Sequence, residues 1–228
     1  MISIVIPTYN ESREIGITLT RLYENISPDD EVIVVDGFSE DDTKKIVSSF
    51  HPVKLFTSQK GRAIQMNLGA EKASNEYILF LHADTLVNAI CISKLKNEIT
   101  SNGVEWGWFS IKLNSPRLIF RIIETGANLR ASLTRTPLGD HGIFVRKDIF
   151  DKVGGFPEIQ LMEDIEFVRK IKIISKKGIK IKTPVQTSVR RFEKSGILKT
   201  FFIMWFLRIL YYLGASSENL ARYYRNIR

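Results

Sequence analysis

One cysteine, Cys91, stands in a chain of 228 residues. That excludes an internal disulfide and any metal cluster built on cysteine, and it fits a reducing compartment. A secretory leader is not expected, because residues 1–7 are apolar without a basic start and break at Pro7. No glycine-rich dinucleotide loop follows the first apolar run. Residues 7–12 (PTYNES) occupy that place and argue against a nicotinamide or flavin site there. Repeats, low-complexity tracts and long linkers are missing. Acidic residues are scarce at one end. Residues 169–228 hold 2 Asp/Glu against 15 Lys/Arg, whereas residues 1–168 hold 23 against 18. The basic end suits an anionic partner such as nucleic acid, phospholipid or a diphosphate, or it is simply a solubilising face.

The hydrophobic fraction of 44% is enough for a real core. Apolar runs at 2–6, 31–35, 53–56 and 77–81 read as buried strands. Helical spacing falls between them, over Glu14 to Asn25 with Ser12 as its cap, from Asp41 or Asp42 to about Phe50, and over Arg62 to about Ala73. Strand and helix alternating through short loops predict a mostly parallel sheet covered on both faces. Beyond Gly103 the pattern becomes mixed. A strand is expected over 104–113, and a helix over 116–133 that buries Ile119, Phe120, Ile122 and Ile123. A tight turn at 139–142, a short edge strand at 143–145 and a helical turn at 147–153 follow. A helix opens at Glu163-Asp164, and a last strand lies near 180–183. Residues 197–213 are apolar and aromatic but interrupted by Lys199 and Arg208, too short to span a bilayer comfortably. This stretch packs on the domain or on a second chain, or lies on a membrane surface. Glu218 to Arg228 reads as a cationic surface helix.

Polar groups gather at the strand ends: Thr8 to Glu11, Asp36 with Ser39, and His82 with Asp84. In an open α/β sheet the carboxyl edge is where ligands bind. Asp84 either caps a helix beginning near Leu86 or meets an anionic ligand through a divalent metal, Mg²⁺ or Mn²⁺. His82 is a backbone-bonded core histidine, a phosphate donor, a wall of the base pocket or an added metal ligand. Lys60, Arg62, Arg190 and Arg191 offer counter-charge. Asp164, at a helix start after a glycine-rich loop, is the candidate general base, with helix capping as its ordinary alternative.

Taken in order, residues 4–11 (IVIPTYNE), 34–43 (VVDGFSEDDT), Lys60-Gly61-Arg62 with Asn67 and Gly69, 81–85 (LHADT) and 162–164 (MED) resemble the family 2 inverting glycosyltransferases. Residues 61–70, 139–142, 154–157 and 190–192 are more closely similar to a small bacterial and archaeal subgroup often labelled arsenosugar-biosynthesis glycosyltransferases. The resemblance implies a GT-A fold, α/β with a mostly parallel Rossmann-like sheet. A smaller mixed acceptor-side region and a C-terminal helical appendage complete it. The implied divisions are a catalytic domain of residues 1–192, with a nucleotide half (1–100) and an acceptor half (101–192), and a basic aromatic extension of residues 193–228.

The same resemblance implies a nucleotide-diphospho-sugar donor, a UDP-sugar for choice, and a hydroxyl acceptor. Pro7, Thr8, Tyr9, Glu11 and Asp36 would hold base and ribose, Asp36 reading the uracil edge. Lys60, Arg62, Arg190 and Arg191 would lie near the phosphates. His82-Ala83-Asp84 stands where the family has Asp-x-Asp, leaving Asp84 as the metal carboxylate with His82 as a further candidate ligand. Gly139, Asp140 and Glu163 would shape the acceptor side, and Asp164 would be the base. Residues 187–192 are a divergent form of the family's Gln-x-x-Arg-Trp element, which points away from processive synthesis. The expected location is cytoplasmic, with contact at the inner face of the membrane or a homo-oligomer through 197–213, and no nucleic acid. Rival readings are a nucleotidyltransferase acting on a sugar phosphate, and a non-catalytic nucleic-acid or membrane-surface protein.

Overall fold

The computed structural model describes residues 1–227, with side chains as far as Tyr224. The strands are β1 (Ile2–Thr8), β2 (Glu31–Asp36), β3 (Lys54–Thr57), β4 (Tyr77–Phe80), β5 (Thr85–Leu86), β6 (Trp106–Leu113), β7 (Ile143–Arg146) and β8 (Gly178–Thr187). The helices of the first half are α1 (Ile15–Tyr23), α2 (Thr43–Ser48), α3 (Arg62–Lys72) and α4 (Ala89–Asn102). Those of the second half are α5 (Leu118–Thr134), α6 (Lys147–Val153), α7 (Glu163–Ile174), α8 (Arg190–Ser195), α9 (Ile197–Tyr212) and α10 (Ser217–Ile227).

One sheet runs β3-β2-β1-β4-β7-β6-β8-β5. The first four strands of that order are parallel, β7 is antiparallel to both neighbours, and β6 pairs β8 in parallel. Alternation along the strands sends Ile4, Ile6, Val32, Val34 and Leu79 to one core. It sends Val5, Ile33, Val35, Ile78 and Phe80 to the other. Both faces are covered, as the apolar runs required. The mixed GT-A-like sheet expected from the motifs is therefore present.

Several local expectations are corrected. Ser12 does not cap α1; its N–H donates to Asp41 at 3.1 Å, and the N-cap position is Glu14. The helix after β4 begins at Ala89, where Asn88 accepts from the Cys91 N–H. Asp84 therefore caps nothing, because the chain first forms β5. The run at 143–145 is not an edge strand. It sits between β4 and β6, and β3 and β5 are the edges. The last strand is longer than 180–183 and enters the sheet beside β6. On α5, Ile122 is exposed and Phe120 is the buried anchor.

The C-terminal helices are not free of the domain. Leu207 of α9 and Leu220 of α10 are buried against Met162 and Ile165 at the start of α7. Another face of α9 presents Phe202, Trp205, Phe206 and Ile209 outward. Among the described residues no helix is long and apolar enough to cross a membrane. Arg228, the end of the cationic stretch, lies outside the described residues.

Candidate functional site

The pairing register brings the ends of β1, β2 and β4, and the start of β7, to one edge. Two loops there are laced together. The Asn10 N–H donates to the Ser39 hydroxyl at 2.9 Å, and the Glu11 N–H to the Thr43 hydroxyl at 2.8 Å. Asn10 itself is left-handed, at φ 55°, and its side chain accepts from the Glu40 N–H at 2.9 Å. Gln65 of α3 donates to the carbonyls of Thr8 and Val35 at 2.6 and 2.7 Å, tying the helix to both strand ends. Lys60 lies over the Tyr9 ring, 3.6 Å from its centroid. Thr8, Tyr9, Glu11 and Lys60 thus share one rim that follows Pro7.

Asp36 is fully buried in this rim. Its Oδ1 accepts from the Ser39 N–H at 2.9 Å, its Oδ2 accepts from the Ser39 hydroxyl, and Thr8 Oγ1 reaches Oδ2 at 3.5 Å. It therefore holds its own loop and presents no exposed oxygen, in contrast to the expected direct reading of a base edge. Arg190 is also engaged. Its Nη2 donates to Glu11 at 2.6 Å, with Glu14 at 4.0 Å from Nη1. Arg191 is exposed.

The 81–85 segment is pinned from two sides. Thr18 of α1 donates to the Ala83 carbonyl at 2.6 Å, and Thr85 and Thr187 share a hydroxyl contact of 3.0 Å. Asp84 is half-buried, and burial followed by the nearby Glu11 charge raises its carboxyl above the usual range. His82 lies beside the Gly139 turn. Its Nε2 has no partner among the described residues and abuts Gly139, where an added Cβ would stand 2.5 Å away. Burial, then the Arg62 charge, pushes the imidazole down to about 3 and keeps it neutral.

The third component is the start of α7. Met162 is left-handed at φ 71° and buried, so the helix begins abruptly with two acids aimed into the site. Glu163 is buried and pairs with Arg62 at 3.0 Å. Arg62 thus stands beside the candidate base, with its side chain still partly exposed. Asp164 accepts from the Gly139 N–H at 2.7 Å and from the Ile165 N–H at 2.8 Å. Burial, then the charge of Glu163, lifts its carboxyl to about 6, while Arg62 opposes the rise. Such a group can accept a proton near neutral pH. A small pocket, partly open to solvent, is lined by Arg62, His82, Gly139, Glu163 and Asp164. Asp140 follows in the 3-10 turn Gly139–His141, where its buried Oδ1 accepts no hydrogen bond among the described residues and stands 4.0 Å from His141 Nε2.

Among the described residues no group of three His, Cys, Asp or Glu side chains could hold a metal ion by itself. Mg²⁺ and Mn²⁺ accept one or two carboxylates when ligand phosphates and water supply the rest. Asp84, half-exposed with Glu11 nearby, fits that role. His82, packed against Gly139 and within reach of the Arg62 charge, fits it less well. Gln65 was not singled out from sequence, and Asn67 was named only within its motif, without a role; it clamps the Phe156 N–H and carbonyl, both at 2.8 Å. Their place in the 61–70 motif was the available signal.

A family model, glycosyl transferase family 2, matches residues 3–154. The glycosyltransferase AglE of Haloferax volcanii is 26% identical over 169 residues, 68% of this chain and 56% of that protein. A poly-beta-1,6-N-acetyl-D-glucosamine synthase of Staphylococcus epidermidis is 33% identical over 92 residues, 38% of this chain and 22% of the other. The chain thus spans little more than half the length of the first of these curated relatives, and less of the second. In solved structures, S. aureus TarS 1–349 in complex with UDP-GlcNAc matches with TM-score 0.67 and 22% identity, over 82% of this chain and 58% of that one. The mannosyltransferase PcManGT from Pyrobaculum calidifontis, in complex with GDP-Man and Mn²⁺, matches with TM-score 0.65 and 23% identity, over 82% and 56%. At that identity the structural likeness speaks for the fold alone, but the family model covers most of the chain, including both laced loops and the Asp84 segment. On this ground the chain belongs to glycosyl transferase family 2.

Proposed function

We propose that the protein is an inverting glycosyltransferase that moves a sugar from a nucleotide-diphospho-sugar, a UDP-sugar for choice, to a hydroxyl acceptor. The observation that carries this reading is Asp164. It is a buried carboxylate lifted to about 6 and aimed by the Gly139 N–H into a pocket shared with Arg62 and His82. The rim of Thr8, Tyr9, Glu11 and Lys60 would receive the nucleotide, with Asp36 holding its shape. Among the described residues Arg191 is exposed and makes no ion pair, so it can serve the diphosphate, and Arg190 can do so by leaving Glu11.

Asp164 takes the proton of the acceptor hydroxyl. The hydroxyl oxygen bonds to the anomeric carbon as the bond from that carbon to the phosphate oxygen breaks. The nucleoside diphosphate leaves with the bonding electrons. The product is β-linked when the donor is α-linked. A divalent cation, Mn²⁺ or Mg²⁺, held by Asp84 would neutralise charge growing on the leaving diphosphate. Residues of this chain that meet that charge must bind it more strongly in the transition state than in the ground state.

The domain limits we propose are those read from the sequence: 1–192 catalytic, divided near residue 100, and 193–228 as an extension docked on α7. The subgroup often labelled arsenosugar-biosynthesis is supported only by the motifs at 61–70, 139–142, 154–157 and 190–192. A cytoplasmic protein resting on the inner membrane face is supported by the outward aromatics of α9 beside a basic C-terminal quarter. The test is a thermal-shift panel of nucleotide sugars with Mn²⁺ or Mg²⁺, followed by assay of nucleoside diphosphate release. Release of pyrophosphate instead would favour a nucleotidyltransferase, and no response to any nucleotide would sink the proposal.

A further inference from the structure

Helix α5 carries an apolar stripe that stays exposed. Leu118, Ile122, Leu129 and Leu133 form it, Leu118 being 80% and Ile122 68% exposed. At 3.6 residues per turn their positions fall within about 60° of one another. Phe120 and Ala131, on the opposite side, are the buried residues of the helix. Helix α9 repeats the arrangement. Leu198, Phe202, Trp205, Ile209 and Tyr212 are exposed within about 80° of one another, and Thr200 and Leu207 are buried on the side behind them.

The two helices are neighbours. Phe120 meets the Phe192 ring of α8 edge to face, with 5.7 Å between centroids. Ile119 and Ile123 of α5 and Ile197, the first residue of α9, pack on the same cluster. Further along, Leu138 in the loop after α5 packs on the cluster that holds Leu207 of α9. Both stripes therefore point away from the domain on adjoining helices. Together they make an apolar surface of the kind that marks a contact site, unlike singly scattered exposed residues.

The charge around this surface says what covers it. Within residues 117–134 and 190–212 the exposed charged side chains are Arg117, Arg191, Lys194 and Lys199 against Glu193 alone. Arg117 precedes α5, and Lys194 and Lys199 flank the start of α9, so cations gather at the end where the helices meet. A two-fold contact with a second copy would set this patch against itself and bring those cations together. An anionic bilayer answers the same charges. It also suits Trp205, Phe202 and Tyr212, whose rings favour the headgroup boundary. With 17 and 16 residues, α5 and α9 are not long and apolar enough to cross a bilayer, but they can lie along one.

We propose that α5 and α9 together form a docking surface for an anionic phospholipid bilayer. Both helices lie in its plane, with their stripes sunk at the acyl boundary and the cations among the headgroups. This deepens the reading of α9 as a membrane contact, on which it rests, by adding α5 as a second anchor and naming the lipid charge. It is independent of the role of Asp164.

The test is sedimentation of the full chain with phosphatidylcholine vesicles, with and without phosphatidylglycerol. Wild type is expected to bind the anionic vesicles at least about tenfold more tightly than the neutral ones, a preference that salt should reduce. Trp106 and Trp108 are buried, so a blue shift of tryptophan emission on binding reports Trp205. Ile122→Glu with Leu129→Glu on α5, and Phe202→Glu with Ile209→Glu on α9, are each expected to weaken binding about tenfold or more, while UDP affinity stays unchanged. Leu133→Gln and Leu198→Gln, milder changes on the same faces, serve if an acidic pair fails to fold. Lys194→Gln with Lys199→Gln should shrink the preference for anionic vesicles. Equal binding to neutral and anionic vesicles, or none to either, overturns the proposal. Loss with the α9 pair but not with the α5 pair overturns it too, and leaves α9 as a lone contact. A concentration-dependent dimer that either acidic pair dissolves gives the surface to a second copy instead. A chain that binds anionic vesicles but no UDP would strike the glycosyltransferase reading and leave the docking surface standing.

Discussion

The main-chain N–H of Gly139 donates to the Asp164 carboxylate at 2.7 Å, across 25 positions of sequence. A turn on the sheet edge thereby aims the first turn of α7. The bond also opposes the rise in the carboxyl's proton affinity, so the turn sets both direction and basicity.

Asp164→Asn is expected to lower turnover by about 100-fold or more, the usual scale for losing a general base. UDP affinity should stay within about twofold, because the donor rim is built from other residues. Nucleoside diphosphate release and UDP calorimetry measure the two effects. Near-wild-type turnover would remove Asp164 from the base role.

The pH profile follows from the same group. With the carboxyl lifted to about 6, kcat/KM should rise as pH increases through about 6 and then level. Glu163→Gln removes the second cause of the lift, so the rising limb should move to lower pH. The stability sign is opposite. A folded-state value above the unfolded one favours the fold below about pH 4, and that benefit disappears as pH passes about 6. Denaturant midpoints at pH 5 and 7 should therefore show wild type losing ground against Asp164→Asn as pH rises.

Asp84→Ala should weaken UDP binding by about tenfold with Mn²⁺ present, the scale of one lost charge-assisted contact, and much less without it. Titrations with and without the ion check this. Identical affinities in all four cases would exclude Asp84 from holding a cation.

Gly139→Ala places a Cβ 2.5 Å from His82 Nε2, and Gly69→Ala places one 2.3 Å from Val5 Cγ1. Each should destabilise the fold by about 1–3 kcal/mol through overpacking. Only the first disturbs the donor to Asp164. Gly139→Ala should move the pH limb and Gly69→Ala should not, as stopped-time rate assays across pH would show.

Leu207 is fully buried against Met162 and Ile165. Leu207→Ala should cost about 2–5 kcal/mol if the site collapses as little as other cores do. Activity should fall with it, since the same cluster seats the start of α7. A change below about 0.5 kcal/mol, the level of an ordinary surface substitution, would mean that α9 is a loose appendage.

Local order determined much of this protein. The runs at 2–6, 31–35 and 77–81 announced strands because alternation and apolar content are properties of neighbouring residues. Glu163-Asp164 announced a helix start for the same reason. The tertiary structure decided what distance in sequence hides. It placed the run at 143–145 inside the sheet, turned Asp36 inward onto Ser39, and paired Arg62 with the distant Glu163. Periodicity records how a segment prefers to fold. It does not record which segment lies beside it, and both the pairing of strands and the company of a buried charge depend on that neighbour.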